Sequence, residues 1–378
     1  MWPRIKLTKA LPCLLVLFCF LLIFAVFWPV FVAIFIKYQE SNEIITGESL
    51  EIKDNLPHFQ PVGRDKLMAI AALSRRFLPI PRKIITQLPP CERKFLIGRI
   101  NVDFKVIPFN ETYEQNRIIE PGGRYRPKTC EMLGGSGKTA IIIPFRQRWE
   151  HLQALLNHLH PILIRQDLDY QIFVVEQLGE DDFNKGLLMN VGFKEALKEQ
   201  NFDCFIFHDV DLFIEDDRAI YQCQQLPFHL SEFIDQMGYD NVHWGYIDIL
   251  FGGVVAIPRR IFEHVNGYSN IYIGWGGEDD EMRYRLRFKG VDIVKPWNAT
   301  FYRYKMLTHQ RDKENEVNEF RWLLLNTTKR RMDYDGLNSL KYRIIDKKYE
   351  QIFTHFTVEY SKEEIFDETF GLQLSTKE

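Results

Sequence analysis

Asp209 and Asp211 stand two residues apart near the end of the apolar run CFIFHDVDLF, residues 204–213. Paired carboxylates in such a place can hold a divalent cation against a diphosphate, and Mg2+ or Mn2+ suits these oxygen ligands. An acidic strand-end turn explains the pair as well, with Glu215, Asp216 and Asp217 beyond it solvated. Further along, Gly274-Trp275-Gly276-Gly277-Glu278-Asp279-Asp280 joins backbone freedom, a flat apolar ring and three consecutive carboxylates. A ring of this kind can cover an apolar sugar face while carboxylates accept hydroxyl hydrogen bonds. The plainer reading is a glycine-rich loop feeding an acidic helix start. Met306 and His309, with Arg303 and Lys305 beside them, offer a soft and a nitrogen metal ligand near cationic charge for phosphate, or simply a core methionine and a surface histidine.

GGSGKT at 134–139 has the look of a phosphate-binding loop, but the full spacing requires glycine where Met132 stands. The motif also precedes its strand, whereas cradling a phosphate needs strand, loop and then helix. A surface turn with a solvated Lys138 is the expectation.

These residues need elements to hold them. AIIIPF (140–145) and YQIFVVEQ (170–177) are buried strands by composition and length, and CFIFHDVDLF reads as a third. Helical stretches follow at about 148–159 and 185–198. The alternation predicts an α/β fold with a mostly parallel central sheet. Ligands of such sheets bind beyond the carboxyl ends of the strands. Pro144-Phe145-Arg146, Glu176-Gln177 and Asp209-Val210-Asp211 all fall there.

The whole chain has 378 residues and a formal charge of -3, which excludes disordered, collagenous and strongly basic nucleic-acid-binding classes. That average hides two pieces. Residues 10–36 are 27 consecutive uncharged residues, more than the roughly 20 that cross a hydrocarbon core. Arg4, Lys6 and Lys9 precede them, and Lys37, Glu40, Glu43, Glu48 and Glu51 follow. The basic bias predicts a cytosolic tail (1–9), a signal-anchor transmembrane helix (10–36) and a chain that continues across the membrane. The proline-rich stretch 37–90 reads as a stem, with one helical piece at about 66–77, and 91–378 as one catalytic-sized domain with a C-terminal extension. Cys13 and Cys19 lie in the span, leaving Cys91, Cys130, Cys204 and Cys223 for an oxidising lumen. Four cysteines allow three pairings; Cys91–Cys130 with Cys204–Cys223 is the simplest local one. Asn110, Asn298 and Asn326 begin glycosylation sequons.

Taken together, PFR, FNKG, DVD, FGGV, GWGGEDD and RDKENE, in this order over about 91–357, closely resemble the β-1,4-galactosyltransferase family, including its β-1,4-N-acetylgalactosaminyltransferase members. The resemblance implies a GT-A glycosyltransferase fold, a single-pass type II Golgi membrane enzyme with a lumenal catalytic domain, and a Mn2+ cofactor. It implies a nucleotide side made of Pro144, Phe145, Arg146, Arg148, Phe183, Lys185, Asp209, Val210 and Asp211. Asp211, Met306 and His309 would ligate the metal. Asp279 would be the base, oriented by Glu278 and Asp280. Leu250, Gly252, Gly253, Trp275, Gly276 and Gly277 would meet the sugars, and a loop at about 307–325 would close over them. Where galactose-specific vertebrate members carry Tyr, this chain has Leu250, which leaves room for a donor 2-acetamido group. The expectation is therefore inverting transfer from UDP-GalNAc to terminal β-GlcNAc of a glycoprotein or glycolipid, with UDP-galactose as the alternative donor. Lys185 replaces the family's Arg and loses its bidentate fork; Ile273 replaces a frequent Trp beside the acceptor loop. No nucleic-acid partner is expected, and self-association is left open.

Overall fold

The computed structural model describes residues 95–128, 137–179, 181–239, 251–296, 299–308 and 315–367. The tail, anchor and stem readings, Cys91, Cys130, Leu250, Asn298 and His309 lie outside the described residues, as do residues 134–136 of GGSGKT. Among the described residues no helix is long and apolar enough to cross a membrane. In chain order the elements are α1 (Phe109–Gln115), β1 (Arg124–Tyr125), β2 (Thr139–Phe145), α2 (Trp149–Arg165), β3 (Tyr170–Gln177), α3 (Lys185–Glu199), β4 (Cys204–His208) and β5 (Leu212–Ile214). They continue as β6 (Phe228–His229), β7 (Phe233–Ile234), β8 (Val254–Pro258), α4 (Arg259–His264), α5 (Glu278–Phe288), β9 (Arg303–Met306), α6 (Arg321–Arg331), β10 (Arg343–Tyr349) and β11 (Thr354–Glu359).

The central sheet runs β10-β11-β3-β2-β4-β8-β6, with β1 also on β3. Its middle, β11-β3-β2-β4, is parallel, while β8, β6, β10 and β1 pair antiparallel. The sheet is therefore mixed, and the expectation of a mostly parallel one holds for its centre. Every residue of β2 is buried, because both faces of this strand are covered. Ile141, Ile143 and Phe145 join the apolar layer containing Leu152, Leu155 and Leu159 of α2. Ala140 and Ile142 join the opposite layer with Leu187, Val191 and Phe262. Close helix-on-sheet approach depends on Gly192 of α3, where an added Cβ would lie 2.3 Å from a methyl of Ile142.

The run 204–213 is two strands, not one. β4 ends at His208 in the main sheet, and β5 begins at Leu212 in a smaller sheet, β5-β9-β7. Between them Asp209 N–H donates to the Gly253 carbonyl at 3.0 Å and the His208 ring bonds the Asp209 carbonyl at 2.8 Å. These local bonds turn the chain out of β4, and the two aspartates sit at the break. Cys204 and Cys223 form a disulfide, as the simplest pairing anticipated.

Glu215, Asp216 and Asp217 are buried, contrary to the solvated reading. Asp217 accepts from the backbone N–H groups of Ile97 and Gly98 at 3.0 and 2.8 Å and from Arg165 at 2.8 Å. Buried carboxylates require such partners, and here they tie the start of the described chain to the core. Lys138 is half-buried instead of solvated, and burial lowers its ammonium pKa.

Candidate functional site

The site forms where the ends of β2, β3 and β4 meet the start of α5. Gly274, Gly276 and Gly277 all adopt positive φ, which glycine reaches without a Cβ clash. The turn they make delivers Glu278, Asp279, Asp280 and Glu281 to the first turn of α5, where carboxylates favour the helix field. Lys185 opens α3, set by Asn184, whose side chain accepts from Leu187 N–H at 3.0 Å as an N-cap.

These two helix starts face each other. Lys185 Nζ lies 3.2 Å from Asp209, 3.3 Å from Glu278 and 3.0 Å from Asp279. Its three N–H donors thus serve three carboxylates. Lys185, expected on the nucleotide side, bridges Asp209 of that expected side to Glu278 and Asp279 of the expected acceptor cluster. Burial alone would lower its pKa, but Asp209, Asp279 and Glu278 hold the ammonium well above its usual value. Burial raises the Asp279 carboxyl well above the ordinary carboxylate range against the pull of Lys185, and Glu278 and Asp209 add to the rise. The Asp209 carboxyl is pushed up to about 6 by burial, opposed by Lys185 and reinforced by Asp211.

Asp279 Oδ2 is held by Lys185, whereas its buried Oδ1 has no hydrogen-bond partner among the described residues. A buried acceptor left open suits a group awaiting a hydroxyl proton. Gly252 abuts the same carboxylate: a Cβ there would fall 2.2 Å from Asp279 Oδ2. Gly253 has φ 74°, and a Cβ there would fall 2.6 Å from the Leu212 and Ser231 side chains. Asp280 is partly buried, and burial raises its pKa, opposed by Arg283.

On the expected nucleotide side, the Arg146 guanidinium lies 5.3 Å over the Phe183 ring and donates to the Asp181 carbonyl at 2.5 Å. Pro144 and Phe145 end the buried β2, and Val210 is buried between the two aspartates. Arg148 approaches Asp211 to 3.9 Å. Asp211 and Met306 come together because β5 pairs with β9: Leu212 is in register with Met306, and Leu307 N–H donates to the Asp211 carbonyl at 2.8 Å. Asp235 holds Met306 N–H at 2.9 Å. A carboxylate oxygen is a suitable ligand for Mn2+, and the buried Asp211 with the half-buried Asp209, whose carboxyl is raised to about 6, form a site whose charge a divalent cation would relieve. Among the described residues no three His, Cys, Asp or Glu side chains converge on one point; the expected set includes a thioether and His309.

Trp275 is 50% exposed, and its backbone is laddered to the segment before α6: Trp275 N–H donates to Glu316 O at 2.7 Å and Asn318 N–H to Trp275 O at 3.0 Å. Part of the expected closing loop is therefore docked beside the ring. Behind it lies a charge knot that motif reading missed. Glu281 bonds Arg285 at 2.8 Å and Arg331 at 2.6 Å, and Asp335 pairs with both arginines. Asp335 also takes Ser269 Oγ at 2.5 Å and Asn270 N–H at 2.9 Å. The i,i+4 spacing of Glu281 with Arg285 and of Arg331 with Asp335 was the available signal. Asn110 and Asn326 are exposed.

A mixed sheet with two acids at the end of a central strand and an acidic helix start opposite them is the architecture of GT-A galactosyltransferases. The family model described as the N-terminal region of glycosyl transferase group 7 matches residues 90–224, and that described as the N-terminal domain of galactosyltransferase matches 228–310. Beta-1,4-galactosyltransferase 1 of Mus musculus is 43% identical over 286 residues, 75% of this chain and 70% of the relative. Beta-1,4-galactosyltransferase 4 of Cricetulus griseus is 46% identical over 239 residues, 63% and 67% of the two chains. The catalytic domain of Drosophila beta-1,4-galactosyltransferase 7, solved with xylobiose, aligns with TM-score 0.50 at 30% identity over 60% of this chain and 94% of that one. A mutant of that enzyme, solved with manganese, UDP-Gal and xylobiose, aligns with TM-score 0.50 at 29% identity, with the same coverage. The chain belongs to the β-1,4-galactosyltransferase family of glycosyl transferase group 7. It is a β-1,4-glycosyltransferase. These relatives are named as galactosyltransferases, so the expected preference for N-acetylgalactosamine finds no support among them.

Proposed function

We propose that the chain is an inverting, Mn2+-dependent β-1,4-galactosyltransferase that moves galactose from UDP-galactose to a terminal β-GlcNAc on a glycoprotein or glycolipid. The observation that carries this reading is the meeting of Lys185 with Asp209, Glu278 and Asp279 within 3.3 Å, beside the Asp211–Met306 strand pair. Arg146 and Phe183 would grip the nucleotide base. Asp211, Met306 and His309 would hold Mn2+, which supplies positive charge for the departing diphosphate. Trp275 would cover the acceptor sugar, with residues 316–320 excluding water. Asp279 Oδ1 would take the proton of the acceptor 4-hydroxyl as its oxygen bonds to the donor anomeric carbon. The bond from that carbon to UDP breaks, its electron pair leaves with the diphosphate, and the proton remains on Asp279. A single displacement inverts the anomeric centre. Lys185 would draw the Asp279 carboxyl towards its ionised form, against burial, and Glu278 and Asp280 would orient the hydroxyls.

Leu250 favours a second reading, UDP-N-acetylgalactosamine as donor. In the sequence Leu250 stands two residues before Gly252, where an added Cβ would meet Asp279 Oδ2. Leucine removes the ring and hydroxyl that a tyrosine would place there, and overpacking a tight pocket costs about 1–3 kcal/mol, one or two decades of preference. Offering the purified enzyme both UDP-sugars with Mn2+ and a GlcNAc acceptor decides between them. Predominant galactose transfer supports the first reading, and predominant N-acetylgalactosamine transfer replaces it with the second. Formation of neither product overturns both readings. Under the second reading Leu250→Tyr moves preference towards galactose.

The basic-then-apolar order of the first 36 residues supports a type II Golgi anchor at 10–36 with tail 1–9, stem 37–90 and a lumenal domain 91–378. Exposed Asn110 and Asn326, together with Asn298, would be its glycan acceptors, and Cys91–Cys130 its second disulfide.

A further inference from the structure

Past β11 the chain turns back over the loop that leads into α3. Tyr360 donates its hydroxyl to the Asp182 carbonyl at 3.0 Å, Lys362 reaches the Asp181 carboxylate at 3.0 Å, and residues 362–367 are helical. Ile365 is fully buried in the apolar layer shared by Leu187, Phe356 and Val358. The carbonyls of Asp181 and Asp182 are in demand. Gln177 Nε2 donates to Asp181 O at 3.0 Å and to Asp182 O at 3.1 Å, and Arg146 donates to Asp181 O at 2.5 Å. The next residue, Phe183, lies under the Arg146 guanidinium, and its carbonyl accepts from Gly274 N–H at 3.0 Å. Residues 181–184 are thus a joint between the nucleotide side, the Trp275 turn and this strap. The matched family models end at residue 310, so the strap lies beyond both.

We propose that the strap Tyr360–Asp367 is a positioning element of the donor site: through the Tyr360 hydroxyl it fixes the Asp182 carbonyl and so sets the Phe183–Arg146 pair that would grip the base of a nucleoside diphosphate. The proposal rests on the nucleotide-side reading above. Two donors saturate each carbonyl. Losing the Tyr360 hydroxyl leaves Asp182 O to Gln177 alone, and the loop gains freedom that base binding must then remove.

The test uses the full chain with Tyr360→Phe, a second variant ending at Tyr360, and Lys362→Ala as a control whose exposed ion pair contributes little. UDP affinity is measured calorimetrically with Mn2+ present, alongside donor KM, acceptor KM, kcat and thermal melting. Tyr360→Phe is expected to raise UDP Kd and donor KM about three- to tenfold, the worth of one hydrogen bond, with acceptor KM and kcat within about twofold. The shortened chain should lose more, and Lys362→Ala less than about twofold. An unchanged UDP Kd in Tyr360→Phe overturns the proposal, as does a parallel rise in donor and acceptor KM, which would indicate general loosening. If the shortened chain does not fold, Tyr360→Phe decides alone, since it keeps the ring. A wild-type chain that binds UDP but transfers neither sugar would defeat the functional reading while the effect of Tyr360 on UDP affinity remains measurable.

Discussion

Replacing Gly252 by alanine should cripple turnover without unfolding the protein. The new methyl would stand 2.2 Å from Asp279 Oδ2, 2.7 Å from its Cγ and 3.2 Å from its Cβ, where ordinary contact begins at 3.4 Å. The main chain at Gly252 cannot easily retreat, because its carbonyl accepts from His229 at 3.0 Å and Ser231 at 3.1 Å. The carboxylate must therefore move by about 1 Å, and such a misplacement costs on the order of 10²-fold in rate, or about 2.7 kcal/mol of barrier. Moving it also stretches the 3.0 Å contact with Lys185. The assay is kcat at saturating donor, acceptor and Mn2+, followed by UDP release, with UDP affinity and melting as controls. A folded Gly252→Ala enzyme with kcat within about threefold of wild type would refute the reasoning. So would full additivity with Asp279→Asn, since displacing a carboxylate already disabled should cost little more.

Three further outcomes are expected. Lys185→Met removes the cation nearest the proposed base, so the Asp279 pKa rises further; if Asp279 is the base, the acid limb of the kcat–pH profile should move to higher pH, and Lys185→Arg should move it much less. A limb that stays in place would exclude the role given to Lys185. His160 is buried with Nε2 bonded to the Ile352 carbonyl and Nδ1 to the Tyr170 hydroxyl, and burial lowers its pKa from 6.5 to about 4. The unfolded chain takes up this proton first, so stability falls from pH 6.5 down to about 4, by about 3 kcal/mol in all; denaturant melts at pH 7 and 5 should differ, and less so in His160→Phe. Replacing Cys204 and Cys223 together by alanine opens a link across 19 residues and should lower unfolding stability by about 3 kcal/mol; an unchanged denaturation midpoint would show that the link adds nothing.

Much of the site was legible because its pieces are local. Continuous apolar runs of strand length marked β2, β3 and β4, and the glycines and acids of 274–280 announced a turn into a helix. The break after His208 was not legible, since 204–213 is apolar on both sides of the acids and only the Gly253 carbonyl and the pairing of β5 with β9 divide it. The acids 215–217 looked solvated because sequence registers their charge, while the backbone donors and arginine that satisfy Asp217 come from residues 97, 98 and 165.

By itself the sequence determined the composition of the site: which carboxylates, which cation and which ring are available, and the strand ends and helix starts that present them. Only the tertiary structure decided that Lys185 bridges to Asp279, 94 residues away, that Gly252 is glycine for the sake of that carboxylate, and that Tyr360 reaches the Asp182 carbonyl. Periodicity and capping act over a few residues, whereas the partner of a buried charge is whichever group packing brings within about 3 Å. That choice depends on the whole sheet, so no local stretch of chain contains it.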